Sequence, residues 1–146
     1  MDRIFFRRKR GQTLVEFAVL FPFFLLVIVG GMIDFGMAFY NYSRLQQIVN
    51  DVARQAAETG GPTGLNPGAI QTLANSKKPA WWTGQFTVSS EQIQCTGSQR
   101  PIIRVVGQYD SPAYTPFYQT MFGAISGSPN IHLTSAAAYK IPDLVL

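Results

Sequence analysis

The sequence predicts an α+β protein: a long N-terminal membrane-spanning helix that extends into an amphipathic helix, followed by a small antiparallel sheet of three or four strands. Three observations carry this. Residues 17–33 hold no charge, and the stretch 13–33 covers about 30 Å at the helical rise of ~1.5 Å per residue, the thickness of a bilayer's hydrocarbon core. Past that run, Ala38, Tyr42, Leu45, Val49, Val52 and Ala56 alternate spacings of four and three, one stripe of a continuing helix. Beyond residue 60 the chain turns to short runs rich in β-branched residues, punctuated by Pro and Gly.

Composition bounds the organisation. With 146 residues, 47% hydrophobic and only 14% charged, the chain accommodates one membrane segment and one small domain. The expected division is a basic leader (1–11), a transmembrane helix (12–34), an amphipathic extension (35–59) and an exported α+β head (60–146). The net charge of +4 resides entirely in the leader, where Arg3, Arg7, Arg8, Lys9 and Arg10 face only Asp2; the remaining 7 basic and 7 acidic residues cancel. Basicity so placed sets topology, with the N-terminus cytoplasmic. No basic face is left for nucleic acid.

Taken in order, the leader 1–10 is short and basic, with Phe5 and Phe6 able to touch headgroups. Glu16 stands just inside the apolar segment, where an acidic side chain costs on the order of 2.5–3.5 kcal/mol even on insertion scales and so needs a partner. Pro22 removes a backbone donor within the span and predicts a kink, either incidental or of use when helices pack. Gly30 and Gly31 allow another helix to come close without forming a GxxxG pair. The stripe from Ala38 to Ala56 packs on the chain's own head or on neighbouring subunits, while Asn41, Arg44, Gln46, Gln47, Asn50, Asp51, Arg54 and Gln55 occupy the other faces.

Gly60, Gly61, Pro62 and Gly64 end the helix. Asn66-Pro67 reads as an N-cap followed by proline at the first helical position, opening a short helix to about Ser76 that Pro79 stops. Residues 85–88 and 92–96 are expected as two short strands, 102–109 as a stronger one bounded by Pro101 and Pro112, and 131–139 as the last. Between these last two strands, residues 111–129 are rich in Pro, Gly and aromatics, with Tyr114, Phe117, Tyr118 and Phe122. Trp81 and Trp82 are placed over the core or at the membrane interface.

The chemical inventory points away from catalysis. His132 is the sole histidine and Cys95 the sole cysteine, so neither a multi-histidine metal site nor an internal disulfide is available. His132 is expected on a strand surface, Cys95 as a small side chain on a strand, and Asp110 and Asp143 as solvated turn residues. No nucleophile has a base, no phosphate loop occurs, and no metal or cofactor is expected.

Gly11, four residues, then Glu16 at the mouth of an apolar helix resembles the processing site of type IV pilin-like precursors. That resemblance implies cleavage between Gly11 and Gln12 by a membrane prepilin peptidase. It also implies pairing of Glu16 with the new α-amine of a neighbouring subunit. Residues 10–18, Arg-Gly-Gln-Thr-Leu-Val-Glu-Phe-Ala, with the later Asp34-Phe35-Gly36, are similar more specifically to TadE-like pseudopilins of the tight-adherence (Flp) pilus system. The resemblance implies a minor pseudopilin of the bacterial inner membrane that meets other pilins, pseudopilins and pilus assembly proteins. Two other readings remain at this point: an uncleaved bitopic scaffold of a secretion or pilus machine, and a soluble domain released by signal cleavage after Ala38.

Overall fold

In the computed structural model, residues 8–59, 66–93 and 102–141 are described, with side chains from Thr13 onward in the first of these. Gly60, Gly61, Pro62, Gly64, Cys95, Pro101 and Asp143 therefore lie outside the described residues, as do the expectations made for them. The element order is α1 (Arg8–Thr59), α2 (Pro67–Lys77), β1 (Phe86–Ile93), β2 (Ile102–Pro112), α3 (Pro116–Ser126) and β3 (Asn130–Lys140). The class is α+β, with a three-stranded antiparallel sheet in the order β1-β2-β3.

α1 is one helix of 52 residues with Pro22 in its interior. From Thr13 to about Tyr40 most of its side chains are exposed and apolar, and its N-terminal part is long and apolar enough to cross a membrane. The C-terminal half carries the head. Leu45, Ile48, Val49, Val52, Ala53, Ala56 and Ala57 are buried against Phe86 and Val88 of β1, and Ile103, Val105 and Tyr109 of β2. These strand residues alternate inward because side chains one apart in a strand point to opposite faces. Gly107 lies at the closest approach of helix and sheet: a Cβ there would overlap a methyl of Val49 and come within 3.2 Å of Leu45.

α2 opens as its sequence requires, with the Asn66 side chain accepting a hydrogen bond from the Gly68 amide and Pro67 at N1. Ile70 and Ala74 are buried in the core. Gln71 Oε1 accepts from the Val88 amide at 2.7 Å, so α2 covers part of the outer edge of β1.

Several expectations are corrected. Residues 85–88 and 92–96 do not form separate strands; β1 runs unbroken from Phe86 to Ile93, because Ser89-Ser90-Glu91 pairs with Val106-Val105-Arg104 despite its polarity. Pro112 does bound β2, as its last residue, opposite Asn130. Residues 111–129, which lead from β2 to β3, contain α3, started by Thr115-Pro116 and ended by Gly127 in the left-handed conformation at φ 73°. Asp110 is not a turn residue: it faces His132 across the β2–β3 register, with Nδ1 of His132 2.6 Å from Oδ1 of Asp110. Asn41 is not on a solvent face; it is fully buried.

Candidate functional site at the helix–head junction

Two polar layers fasten the head to α1, each built on a side chain that an apolar helix face would not be expected to carry. The lower layer centres on Asp34, only 2% exposed. Its Oδ1 accepts from the Tyr114 amide at 2.7 Å and from the Thr115 amide at 3.1 Å, and its Oδ2 accepts from the Thr115 hydroxyl. Thr115 precedes Pro116, the first residue of α3, and its hydroxyl makes no capping bond within that helix. The cap is given to α1 instead. Asp34 thus supplies negative charge beside the N-terminus of α3, the end where a helix's unpaired amides favour an anion.

One turn below, Gly30 and Gly31 make room for α3. The Tyr118 hydroxyl donates to the Val27 carbonyl at 3.1 Å, a carbonyl of α1 itself. A Cβ at position 31 would lie 2.6 Å from that hydroxyl oxygen, so only glycine admits the tyrosine so close to the helix backbone. The space foreseen for another helix is therefore occupied by the chain's own Tyr118. Phe35 packs edge-on against Tyr118 and Phe122, completing the contact.

The upper layer centres on Asn41. Its amide nitrogen donates to Ser111 Oγ at 3.0 Å, and its Oδ1 accepts from the Trp82 indole at 3.0 Å. Trp82 stacks on Tyr109 with ring centroids 4.0 Å apart and meets Phe86 edge-on. Trp81 takes the opposite role, half exposed and stacked on Tyr40. Burial pushes the Tyr109 phenol above its usual range; the nearby Gly84 backbone partly offsets this but stands outside hydrogen-bonding geometry. With its hydroxyl buried and lacking a hydrogen-bond partner among the described residues, Tyr109→Phe is expected to leave stability unchanged or raise it by up to ~1 kcal/mol, read from the denaturation midpoint by tryptophan fluorescence.

Of the residues singled out from sequence, Ala38, Leu45, Val49, Val52 and Ala56 are buried, whereas Tyr42 is half-buried. The head-facing stripe runs through Asn41 and continues backward through Asp34 to Gly31, so it enters the segment assigned to the membrane. Glu16 is exposed on the lower helix, far along the chain from either polar layer, and Pro22 lines a groove beside α3. Gly11 and Gln12 are helical in backbone. The structure does not bring the Gly11–Glu16 region together with the Asp34 and Asn41 layers. Sequence reasoning missed Asp34 and Asn41 as anchors. The available signal was their place on the three-and-four spacing, where a polar residue implies a buried partner.

Among the described residues no group of three or more His, Cys, Asp or Glu side chains is placed to hold a metal ion. No curated protein and no solved structure matches the chain. The model of the family described as TadE-like protein matches residues 11–57, beginning at the glycine of the Gly-x4-Glu spacing and ending within the last turn of α1. Over the helix that organises it, residues 11–57, the chain is thus similar to TadE-like proteins.

Proposed function

We propose that this chain is a minor pseudopilin-like component of Tad (Flp) pilus assembly, processed by a prepilin peptidase after Gly11 and assembling through its N-terminal helix. It sits in the bacterial inner membrane as a single-pass protein, with residues 1–11 as cytoplasmic leader, 12–34 as the span, 35–59 as the extension and 60–146 as the exported head. What supports the reading is the Gly11-to-Glu16 spacing between a basic cluster and a membrane-length apolar helix, at the point where the TadE-like match begins. Cleavage creates an α-amine at Gln12, with an ordinary pKa of about 7.7–8.0, at the depth of a neighbour's Glu16. The two charges then offset each other's burial. Cyclisation of the new N-terminal glutamine would remove the amine and with it the pairing.

The intact mass and N-terminal peptide of the membrane-extracted protein, with and without a co-expressed prepilin peptidase, test this. A peptidase-dependent start at Gln12 is expected. Substitution of Gly11 is expected to abolish processing and assembly together, and Glu16→Gln to permit cleavage while impairing co-assembly. A start at Met1 in the native host, with assembly indifferent to Gly11, would instead establish the uncleaved scaffold. Release after Ala38 would cut α1 between Asp34 and Asn41 and separate the head from its lower anchor.

A further inference from the structure

α3 has the make-up of a segment that does not face water. It carries no charged residue, and Phe117, Met121 and Ile125 recur every fourth position along one stripe, with Ile125 77% exposed. Its polar side chains bond to carbonyls, although Gln119, Thr120 and Ser126 are themselves exposed. Tyr118 donates to Val27, Gln119 to Ala113, Thr120 to Pro116 and Ser126 to Phe122. Bonded back to their own helix in this way, the hydroxyls of Thr120 and Ser126 are also tolerable in a medium without competing donors.

Depth gives the second argument. From Thr13 to Val27 the helix rises about 21 Å and to Asp34 about 32 Å, so α3 is fastened to the outer part of a ~30 Å hydrocarbon core. The charge that would set the limit of the span, Asp34, is closed off by Tyr114 and Thr115. Above it Phe35 and Phe39 remain exposed, Phe39 by 72%, and the next charged residue is Arg44. Between α1 and the start of α3 lies an open apolar groove of about 670 Å³, lined by Leu25, Leu26, Val29, Ile33 and Phe117 among others. Tyr40, Trp81 and Tyr114, all partly exposed, stand where aromatic side chains gather at a membrane surface.

We propose that α3 is an interfacial helix, lying in the outer leaflet of the bilayer with Phe117, Met121 and Ile125 among the acyl chains and an acyl chain in the groove beside Pro22. The chain is then seated in the membrane at two places, α1 and α3, and the head cannot turn together with α1 about the helix axis. This rests on the spanning reading of α1, and the test separates the two. In a Cys95→Ser background, the full chain carrying Ile125→Cys, Val19→Cys or Ala136→Cys is labelled with an environment-sensitive fluorophore. Each is reconstituted into phosphatidylethanolamine–phosphatidylglycerol vesicles containing nitroxide lipids.

At Ile125→Cys the expected result is strong quenching by nitroxides near the glycerol end of the acyl chain, within the ~5–10 Å boundary layer. Aqueous iodide should quench it several-fold less than at Ala136→Cys, which is exposed on the middle of β3. Iodide quenching of Ile125→Cys equal to that of Ala136→Cys, without lipid quenching, would place α3 in water and overturn the proposal. Protection from both quenchers would overturn it in favour of a protein neighbour on α3. Val19→Cys is expected to respond to nitroxides deep in the chain; its failure to do so would remove the spanning reading and the interfacial helix together.

Discussion

Asp34→Ala is expected to detach the base of the head from α1 at a cost of about 3–5 kcal/mol, since it leaves the Tyr114 amide, the Thr115 amide and the Thr115 hydroxyl without their acceptor in a half-buried setting. The loss should be local before it is global. Hydrogen exchange of the segment containing Tyr114 and Thr115 should accelerate first, because the hydrophobic core around Leu45, Val49 and Val105 lies in a separate layer above. Asp34→Asn keeps one acceptor oxygen and should recover about half of the loss. Unchanged exchange at Tyr114 and Thr115 in the alanine variant would show that Asp34 does not hold α3.

A second large effect is expected at Gly84. A Cβ there would overlap the Asp110 carbonyl oxygen, a backbone atom fixed in β2, and would press within 3.3 Å of the Tyr109 ring. Unlike a flexible side chain, neither the strand backbone nor the ring stacked on Trp82 can move aside cheaply. Gly84→Ala should therefore cost about 3 kcal/mol or more, towards the severe end of overpacking changes. The hydrogen bond from the Asp110 amide to the Gln85 carbonyl, 3.0 Å long, should be lost with it. Near-ultraviolet circular dichroism of the Trp82–Tyr109 stack, followed through thermal unfolding in detergent, reads both the displacement and the destabilisation. A variant with the parent midpoint would mean that the loop before β1 relaxes freely.

What could be read from sequence follows from the range of the interactions. α1, the cap of α2 and the stronger strands are written in local spacing: the four-and-three stripe, Asn66-Pro67, and the β-branched run at 102–106. The long-range polar partners are not. Asp34 meets residues 80 and 81 positions away, and Asn41 meets Ser111 and Trp82 at separations of 70 and 41. Without the register of β2 on α1, a helical Asn among Arg and Gln reads as solvent-facing. Asp110 and His132 likewise become neighbours only through strand pairing. α3 is a different case, because its signals were local. Thr115-Pro116 at its start and Gly127 at its end are legible in the sequence, though set in a stretch rich in Pro, Gly and aromatics.

The way the head lies along α1 also decides how it would bear a mechanical load. Its fastenings are spread from Val27, held by Tyr118, through Asp34 and Asn41 to Ala57, a distance of about 45 Å along the axis. A pull along that axis loads these fastenings side by side, as shear, so no one of them yields alone. A pull across the axis at the α3 end meets the Tyr118 and Asp34 contacts first and can open them in turn. The same junction is thus stiff to tension transmitted through the helix and compliant to peeling, a directional strength that follows from anchoring one small sheet along the length of one long rod.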